Sequence, residues 1–454
     1  MERRLSAASR RAAPSPIQQL SHLAQRAGAV NLAEGFPDFP APPHVKAAAA
    51  AAIAADLNQY RHVQGICDIL AETMKRDHGL DVDPLTDFAI CCGQSEAFAA
   101  AIFAIIDQGD EVLLFDPAYE TYETCIELAR GVPVYVQLDP PSWTLSEEKI
   151  LKSFTSRTKA VVLNSPHNPT GKVFSKEELL IIAQACQKMD CFAITDEVYE
   201  YITYDENKHI SLASLPGMQE RTIITSSLSK TYSVTGWRIG WACAAANIAS
   251  AIRNIHVKLT DSAPAPFQEA ALIALTSKPD YYKSLKSVLE DFGFHTIFKP
   301  QGSVFVFAEL PRSWQLSDVD TTKKRNLSKD IEILIIGQEP LKFLKSLSEH
   351  TDSIRILFSI QEERENFQND IGCPWSVDFV TNLIKEAGVA AVPGRGFFHR
   401  SCDGESYNHR YVRFAFCKGD DTLKAAALKM RKLAEMGGMW LTGKREDQTE
   451  FTSR

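Results

Sequence analysis

The sequence has no long apolar run and no excess of basic residues, and each absence excludes a class of protein. Its longest apolar stretches, such as residues 97–106, are much shorter than the roughly 20 residues that a membrane-spanning helix needs. The formal net charge is −8, whereas a nucleic-acid-binding domain usually carries a basic face. We therefore expect a chain that engages neither a membrane nor a nucleic acid.

The sequence also lacks a Cys-x-x-Cys pair and any Cys/His cluster at metal-ligand spacing, although it contains ten cysteines. We predict no metal site, and we interpret the adjacent Cys91 and Cys92 as buried thiols. In a chain of this size, such usage is typical of a reducing compartment. Residues 1–13 are rich in Arg and Ala and weakly resemble a transit peptide, so a cytoplasmic location is favoured and an organelle is the alternative.

The 454 residues are enough for two domains with sizeable cores. In the first part of the chain, short apolar segments alternate with helical patterns, which predicts an α/β domain whose mainly parallel sheet is covered by helices on both faces. The predicted strands are 88–92, 111–115, 132–136, 160–164, 191–195 and 222–226, and the helices between them include 95–106, 119–129 and 176–189.

After Ser303 the pattern changes to that of a smaller α+β domain. Its predicted strands are 304–309, 389–392 and 411–416, and its predicted helices are 377–386 and 421–436. We expect the N-terminal arm to pack on this domain. The predicted division is an arm at 1–45, a large domain at 46–285, a small domain from 286–319 and 378–440, an insert at 320–377 and a flexible tail at 441–454.

The segments Ser227–Lys230 and Gly236–Gly240 carry the strongest chemical signal. A lysine amine can form a Schiff base with an aldehyde. Ser227 and Arg238 can hold a phosphate dianion, through a hydroxyl donor and a charge-assisted hydrogen bond respectively. This spacing therefore suits a phosphate-bearing cofactor that is tethered covalently to Lys230.

Two segments upstream can serve the same cofactor. Gln94 and Ser95 lie where a strand passes into a helix, and the free N–H groups of a helix N-terminus form an anion site. A plain capping turn is the more common alternative. Tyr119 could stack on a flat ring, although it could equally belong to the core.

Three further residues have both a functional and a structural interpretation. Asp196 ends a strand and could keep a heterocyclic nitrogen protonated, while Tyr199 could donate its phenol to a ring oxygen. On spacing alone, a helix N-cap and a packed aromatic are somewhat more frequent. Asn168 lies in a Pro- and Gly-containing turn that could simply be a turn, or could direct the Asn amide at a cofactor oxygen.

Arg413 alternates with apolar residues in a predicted strand. If it is buried, it needs a partner, and a carboxylate that accepts two hydrogen bonds is the natural one. The alternative is an exposed arginine on an edge strand.

Taken together, these segments resemble the pyridoxal-phosphate-dependent aminotransferases of the aspartate aminotransferase fold, and most closely the kynurenine/glutamine/methionine aminotransferase subgroup. The segments that carry the resemblance are 31–39, 58–60, 165–171, 196–199, 229–231, 236–240 and 411–416.

The resemblance implies a role for each candidate residue around pyridoxal 5'-phosphate. Lys230 would carry the cofactor and move the substrate proton, and Asp196 would pair with the pyridinium nitrogen. The other implied cofactor contacts are Tyr199 and Asn168 at the phenolic oxygen, Tyr119 on the ring, and Gln94, Ser95, Ser227 and Arg238 at the phosphate, with Tyr60 reaching in from a second subunit. Arg413 would bind the substrate carboxylate, with Gly35 and Asn168 beside it.

The implied reaction is ping-pong transfer of an amino group from an amino acid to a 2-oxo acid by a homodimer. The amino donor would belong to the aromatic, methionine, glutamine or kynurenine class. Two alternatives are a cysteine-S-conjugate β-lyase that uses the same cofactor, and an inactive isoform that binds only cofactor or a partner.

The chain departs from the family pattern in two places. Residues 320–377 form an insert that we expect to be poorly ordered, although the apolar run 331–336 could pair as a strand. The segment 281–293 is about four helical turns shorter than the family's interdomain helix. We expect this shortening to affect how the two domains are placed.

Overall fold

The computed structural model describes residues 6, 15–60, 64–277, 281–283, 294–295, 299–309, 335–336, 380–381, 383–399 and 411–435. The strands are β1 Val30–Asn31, β2 Phe88–Cys91, β3 Glu111–Asp116, β4 Val132–Gln137, β5 Thr158–Asn164, β6 Phe192–Asp196, β7 Thr222–Ser227, β8 Gly240–Cys243, β9 Phe294–His295, β10 Phe305–Glu309, β11 Ile335–Ile336, β12 Val389–Ala390, β13 Val392–Pro393 and β14 Tyr411–Ala415.

Ten α-helices are described with these strands. They are α1 Pro16–Ala27, α2 Pro43–Ala54, α3 Gln64–Thr73, α4 Gln94–Ile105, α5 Glu120–Leu128, α6 Glu147–Ser153, α7 Lys176–Met189, α8 Ala246–Thr260, α9 Ala265–Leu275 and α10 Asp420–Glu435. Short 3-10 turns occur at Leu212–Ser214, Gln219–Arg221, Thr235–Trp237 and Gly394–Phe397, and π-helical turns at Met74–His78 and Leu383–Ala387.

Seven strands form the central sheet, in the order β2-β8-β7-β6-β5-β3-β4. All neighbours from β7 to β4 are parallel, and β8 is antiparallel to both β2 and β7. The α/β class and the mainly parallel sheet are confirmed. The sequence interpretation missed β8, because Gly240–Cys243 is a short strand that follows the arginine motif without the helix that separates parallel strands.

Both faces of this sheet are covered, because successive residues of a strand point to opposite sides. In β3, Leu113 packs in the hydrophobic cluster that contains Ile182 of α7. The next residue, Leu114, packs in a second cluster with Phe98 of α4 and Ile252 of α8. The apolar runs that predicted buried parallel strands therefore reflect helices on both sides of the sheet.

The smaller sheet has the order β10-β14-β13, with β14 in the middle. The alternative interpretation of Arg413 as an exposed edge-strand residue is therefore wrong, because β14 has a hydrogen-bonded partner on each side. The predicted strand at 389–392 is corrected as well: β12 pairs in parallel with β1 of the arm, whereas β13 pairs with β14. Residues 389–393 thus contribute strands to two different sheets.

The insert and the chain ends are only sparsely described. Ile335–Ile336 pairs antiparallel with Phe294–His295, in line with the strand expected within 331–336. The rest of the insert, the tail at 441–454 and residues 284–293 of the shortened segment lie outside the described residues. In the described part of the chain, no helix has the length and apolar character needed to cross a bilayer.

Candidate active site

The candidate residues lie where parallel strands end. Asn164 ends β5, Asp196 ends β6 and Ser227 ends β7, and these three strands are neighbours in the sheet. Ligands of open α/β sheets bind at the carboxyl ends of strands. The sequence interpretation anticipated these strand ends, and the sheet order brings them to one edge.

Lys230 follows β7 and donates a hydrogen bond from Nζ to the carbonyl oxygen of Gly35 at 2.6 Å. Burial lowers the pKa of this ammonium to about 8, because the charged form loses hydration. Arg413 nearby lowers the pKa further, while Cys417 and Asp196 oppose the shift. Lys230 therefore has a larger neutral fraction at physiological pH than an exposed lysine would have.

The Asp196 carboxylate is buried and accepts hydrogen bonds from the Tyr122 hydroxyl at 2.6 Å and from the backbone N–H of Val198 at 3.3 Å. Burial raises its pKa to about 6, and the Tyr122 bond opposes that shift. The sequence interpretation missed Tyr122. Its spacing of three residues from Tyr119, within the helix predicted at 119–129, could have placed the two side chains on one face, although the observed helix begins only after Tyr119.

Asn168 is held by its neighbours in the turn after β5. Its backbone N–H donates to Asn164 Oδ1 at 2.7 Å, and Asn164 Nδ2 donates to the carbonyl oxygen of Asp196 at 2.9 Å. The Asn168 side-chain oxygen accepts from Arg413 Nη1 at 2.9 Å. Its amide Nδ2 therefore remains available as a donor.

Tyr119 and Tyr199 are two of the phenols that the sequence predicts at the cofactor. Tyr119 packs edge-on against Tyr122, with 5.7 Å between ring centroids. Tyr199 is buried and packs edge-on against Phe305 at 6.0 Å. Burial raises the pKa of both phenols, so both keep their protons at neutral pH. Each can act as a hydrogen-bond donor.

The turn before α4 and the arginine after β7 approach each other closely. Arg238, in the left-handed conformation at φ 57°, donates to the carbonyl oxygens of Thr235 at 2.9 Å and Cys92 at 3.3 Å. A Cβ on Gly93, which has φ 83°, would overlap the Arg238 guanidinium. The positive φ favours glycine here, and a larger residue would also have to push the Arg238 guanidinium aside.

The remaining predicted anion-binding residues surround this turn. Gln94 begins α4 and donates from Nε2 to Thr225 Oγ1 at 3.1 Å, and Ser95 is exposed in the first helical turn. Ser227 Oγ accepts from the N–H of Ser229 at 3.3 Å. The α4 N-terminus, two hydroxyls and a guanidinium thus line one region where an anion can bind.

Arg413 is a buried cation on the middle strand of the small sheet, with 2% of its surface exposed. It donates to Asn168 Oδ1 and to the carbonyl oxygen of Ala33 at 2.7 Å, while its Nε has no partner among the described residues. The guanidinium lies 4.2 Å from the Phe305 ring centroid and 4.7 Å from that of Phe397. Burial lowers its pKa to about 10.

Gly35 and Tyr60 differ in how they relate to this site. A Cβ on Gly35 would overlap the Phe305 ring, so the backbone can lie against Phe305 only because the residue is glycine. The Tyr60 side chain is 79% exposed. In a single chain, Tyr60 is therefore a surface residue.

The structure also contains buried contacts that the sequence did not indicate. Glu96 of α4 accepts from the N–H of Cys92 and pairs with His256 and Thr260 of α8, which braces the turn before α4. Glu197, directly after Asp196, pairs with His209 at 2.8 Å. These contacts join residues that are distant in the sequence.

Comparison with known proteins gives consistent similarities. The family model for aminotransferase class I and II matches residues 27–422. The chain is 33% identical over 434 residues to kynurenine–oxoglutarate transaminase 1 of Homo sapiens, covering 92% of this chain and 95% of that protein. It is 30% identical over 418 residues to the methionine aminotransferase of Escherichia coli (strain K12), covering 91% and 95%. The solved N-succinyldiaminopimelate aminotransferase from Mycobacterium tuberculosis matches with a TM-score of 0.75 at 32% identity, covering 94% and 100%.

Proposed function

This chain belongs to the class I and II aminotransferases and is a pyridoxal-phosphate-dependent transaminase, and from that premise we propose how its own residues carry the reaction. The proposed reaction is ping-pong transfer of an amino group from an amino acid to a 2-oxo acid, with pyridoxal 5'-phosphate attached at Lys230. The observation that carries this proposal is that Lys230, Asp196 and Arg413 are buried or partly buried near one another, since both Asp196 and Arg413 influence the pKa of Lys230, and that none of the three forms a salt bridge with a described residue.

The residues present fit the cofactor. Asp196 can accept from a protonated ring nitrogen and keep that nitrogen charged. We propose that Asn168 Nδ2 and the Tyr199 hydroxyl donate to the ring oxygen and that Tyr119 covers the ring. For the phosphate we propose Gln94, Ser95, Ser227 and Arg238, which lie around the α4 N-terminus.

The unpaired Nε of Arg413 supports a role in binding the substrate carboxylate. A buried guanidinium with an unused donor is costly unless an anion is present for part of the reaction cycle. A carboxylate can accept two parallel hydrogen bonds from it. We propose that Asn168 holds the guanidinium plane in place, that the carbonyl oxygen of Ala33 accepts from Nη2 until the substrate carboxylate replaces it, and that Gly35 leaves room beside it.

Lys230 has the properties of a residue that moves a proton. When bound, the cofactor supplies an electron sink for removal of the substrate's Cα proton. The lowered pKa of Lys230, about 8, allows its amine to accept and return a proton near neutral pH. We propose that Lys230 moves this proton, and that Asp196 stays ionised through its contact with the ring nitrogen.

We propose an amino donor of the aromatic, methionine, glutamine or kynurenine class. Phe305 and Phe397 lie against the Arg413 guanidinium, and such rings favour flat or apolar side chains. Similar proteins are named for kynurenine and for methionine.

We also propose a homodimer in which Tyr60 contributes to the site of the partner subunit. We further propose a cytoplasmic location, which is supported by the free thiols of all eight described cysteines.

The test is the absorbance spectrum of the purified protein before and after addition of single amino acids. We expect a cofactor band that changes with a donor of the proposed class and returns with a 2-oxo acid. Borohydride should label Lys230, and Lys230→Ala should lose both the label and the spectral change. A band that no amino acid alters would contradict the proposal and favour an inactive isoform. Release of pyruvate and ammonia without a 2-oxo acid would favour the β-lyase.

A further inference from the structure

Residues 33–39 form a segment that crosses the candidate site, and we call this segment the strap. Three of its carbonyl oxygens accept hydrogen bonds from three cationic side chains. These pairs are Ala33 with Arg413 Nη2 at 2.7 Å, Gly35 with Lys230 Nζ at 2.6 Å, and Phe36 with Lys418 Nζ at 2.7 Å.

Two of these three cations belong to the proposed reaction. Lys230 must release the Gly35 carbonyl when its amine attaches the cofactor. Arg413 must turn donors towards a substrate carboxylate. During turnover the strap therefore has fewer fixed anchors than it has in the free protein.

Lys418 is the one of these three cations that the reaction does not use, and Ser233 Oγ and the Cys417 carbonyl oxygen also bond the strap, at Phe39 and Asp38 respectively. Its side chain is 1% exposed, and Nζ lies 3.7 Å from the centroid of the Phe36 ring as well as bonding the Phe36 carbonyl. No carboxylate lies within salt-bridge distance of it in the described ranges. Glu34 and Asp38 are the nearby acids, and Asp38 already accepts from the N–H of Gly419 and from Thr422 Oγ1.

A buried ammonium without a paired carboxylate is costly, since a carbonyl and a ring replace only part of its lost hydration. Met has a similar length and would fill the same space without that penalty. Among the described residues, the Lys418 ammonium donates to Phe36 and lies over its ring, so we connect its charge with the strap.

We propose that Lys418 is a positioning residue that holds the strap over the active site while Lys230 and Arg413 exchange strap carbonyls for other partners. The inference rests on the proposed function of Lys230 and Arg413. Its consequence is that the backbone of residues 33–36 keeps its position in the site while two of its carbonyl oxygens lose their cationic partners. Lys418 thereby sets substrate affinity without touching substrate.

The test compares Lys418→Met with Lys418→Arg, which keeps the donor and the charge. Lys172→Met is a matched control for loss of a buried lysine. Lys172 is 5% exposed, but its amine pairs with Glu178 at 2.8 Å and lies over Phe174. Steady-state kinetics are measured for both substrates, and hydrogen exchange is measured for peptides covering residues 31–41.

We expect Lys418→Met to raise KM for the amino acid and for the 2-oxo acid by on the order of tenfold, with kcat changed about twofold or less. Exchange in residues 31–41 should accelerate even without substrate. Lys418→Arg should have nearly the wild-type KM values and the wild-type exchange rate in residues 31–41. Lys172→Met should lower Tm without raising KM or exchange at the strap. If Lys418→Met does not fold, Lys418→Gln, which retains a neutral donor, is used in the same comparison.

An unchanged KM with only a lower Tm would reduce Lys418 to a structural residue and overturn the inference. Loss of cofactor binding instead of a KM effect would also contradict it. These failures differ from failure of the proposed function, in which the wild-type protein would transaminate no amino acid. The exchange measurement needs no turnover, so it tests the strap anchor in either case.

Discussion

At the residue scale, burial moves the pKa values of Asp196 and Lys230 towards each other. The carboxyl group rises from 3.8 to about 6, and the ammonium falls from 10.5 to about 8. The cause is the same in both, because removing water penalises the charged form of either group. Burial of the site therefore sets the pKa values of both Asp196 and Lys230, the two groups whose charge state the proposed reaction depends on.

Replacing Asp196 with Asn should stabilise the cofactor-free protein and abolish transamination. The pKa of Asp196 is raised in the folded protein, so ionisation of this carboxyl group destabilises the fold. This loss of stability is absent below about pH 4, grows as pH rises, and is complete above about pH 6. Above about pH 6, the free energy of unfolding of the variant should exceed that of the wild type by roughly 3 kcal/mol, which corresponds to a shift of about two pKa units. Thermal unfolding of wild type and variant at pH 5 and pH 8 checks this.

The matched control for that comparison is Glu148→Gln, because Glu148 is 74% exposed and pairs only with Lys152 among the described residues. Its Tm should shift little at either pH. An Asp196→Asn protein that is less stable than wild type at pH 8 would show that the carboxylate has a stabilising partner.

The lowered pKa of Lys230 predicts the pH at which its amine reacts. Only the neutral amine attacks an aldehyde, so the rate should rise as pH passes through about 8. An ordinary lysine would require a pH near about 10.4. Mixing cofactor-free protein with pyridoxal phosphate at different pH values, then trapping with borohydride and measuring the Lys230 label, gives the profile.

The reference for that profile is a peptide whose N-terminus is acetylated, so that one lysine is its only amine. The Lys230→Arg variant should give no label at position 230. A midpoint for Lys230 that matches the peptide would contradict the lowered pKa.

At the element scale, the turn between β2 and α4 depends on its backbone conformation. Gly93→Ala should weaken cofactor binding at least about tenfold, because its Cβ would displace Arg238 and its φ is positive. Gly109→Ala is the matched control, since Gly109 also has a positive φ, 91°, but its Cβ would meet no atom within 4 Å.

Both alanine variants should lose about 1 kcal/mol or more of stability from the strained φ. Only Gly93→Ala should raise the Kd for pyridoxal phosphate, measured by titration of the cofactor-free protein. Equal Kd values for the two variants would show that the Gly93 turn does not contact the phosphate.

The accuracy of the element predictions followed the strength of local signals. The predicted and observed bounds of α7 agree, because Ser175 and Glu178 form a reciprocal capping box before it and Asp190 ends it in the left-handed conformation. The strand at 389–392 was predicted as one element, and the structure divides it between two sheets. Partners distant in sequence decided that division, and no local pattern encodes them.

At the scale of the whole molecule, the proposed homodimer predicts that subunits can complement each other. Lys230→Ala and Tyr60→Ala should each be poorly active alone. If Tyr60 serves the partner's site, a mixed dimer contains one site with both residues intact, and equal mixing should restore about a quarter of wild-type activity. Activity after refolding the two variants together, compared with each variant refolded alone, checks this.

No recovery on mixing, with dimers demonstrated by sedimentation, would place Tyr60 in the site of its own chain. A monomer by sedimentation at micromolar concentration would contradict the homodimer itself.

The amino-acid sequence by itself determined which chemical groups the chain offers and the order in which strand ends present them. Lys230, Asp196 and Arg238 could be identified because strand-then-turn patterns are local and their chemistry depends on residue type. Their implied roles came from a family resemblance and stay proposals.

Only the tertiary structure decided which of these groups meet and which neighbours complete them. Tyr122 bonds Asp196 across 74 residues, and Lys418 bonds Phe36 across 382. It also placed Arg413 on a central strand, because β10 and β13 flank β14. Such contacts follow from the packing of elements that are distant in the chain, and packing is set by the summed burial of many side chains rather than by any local pattern.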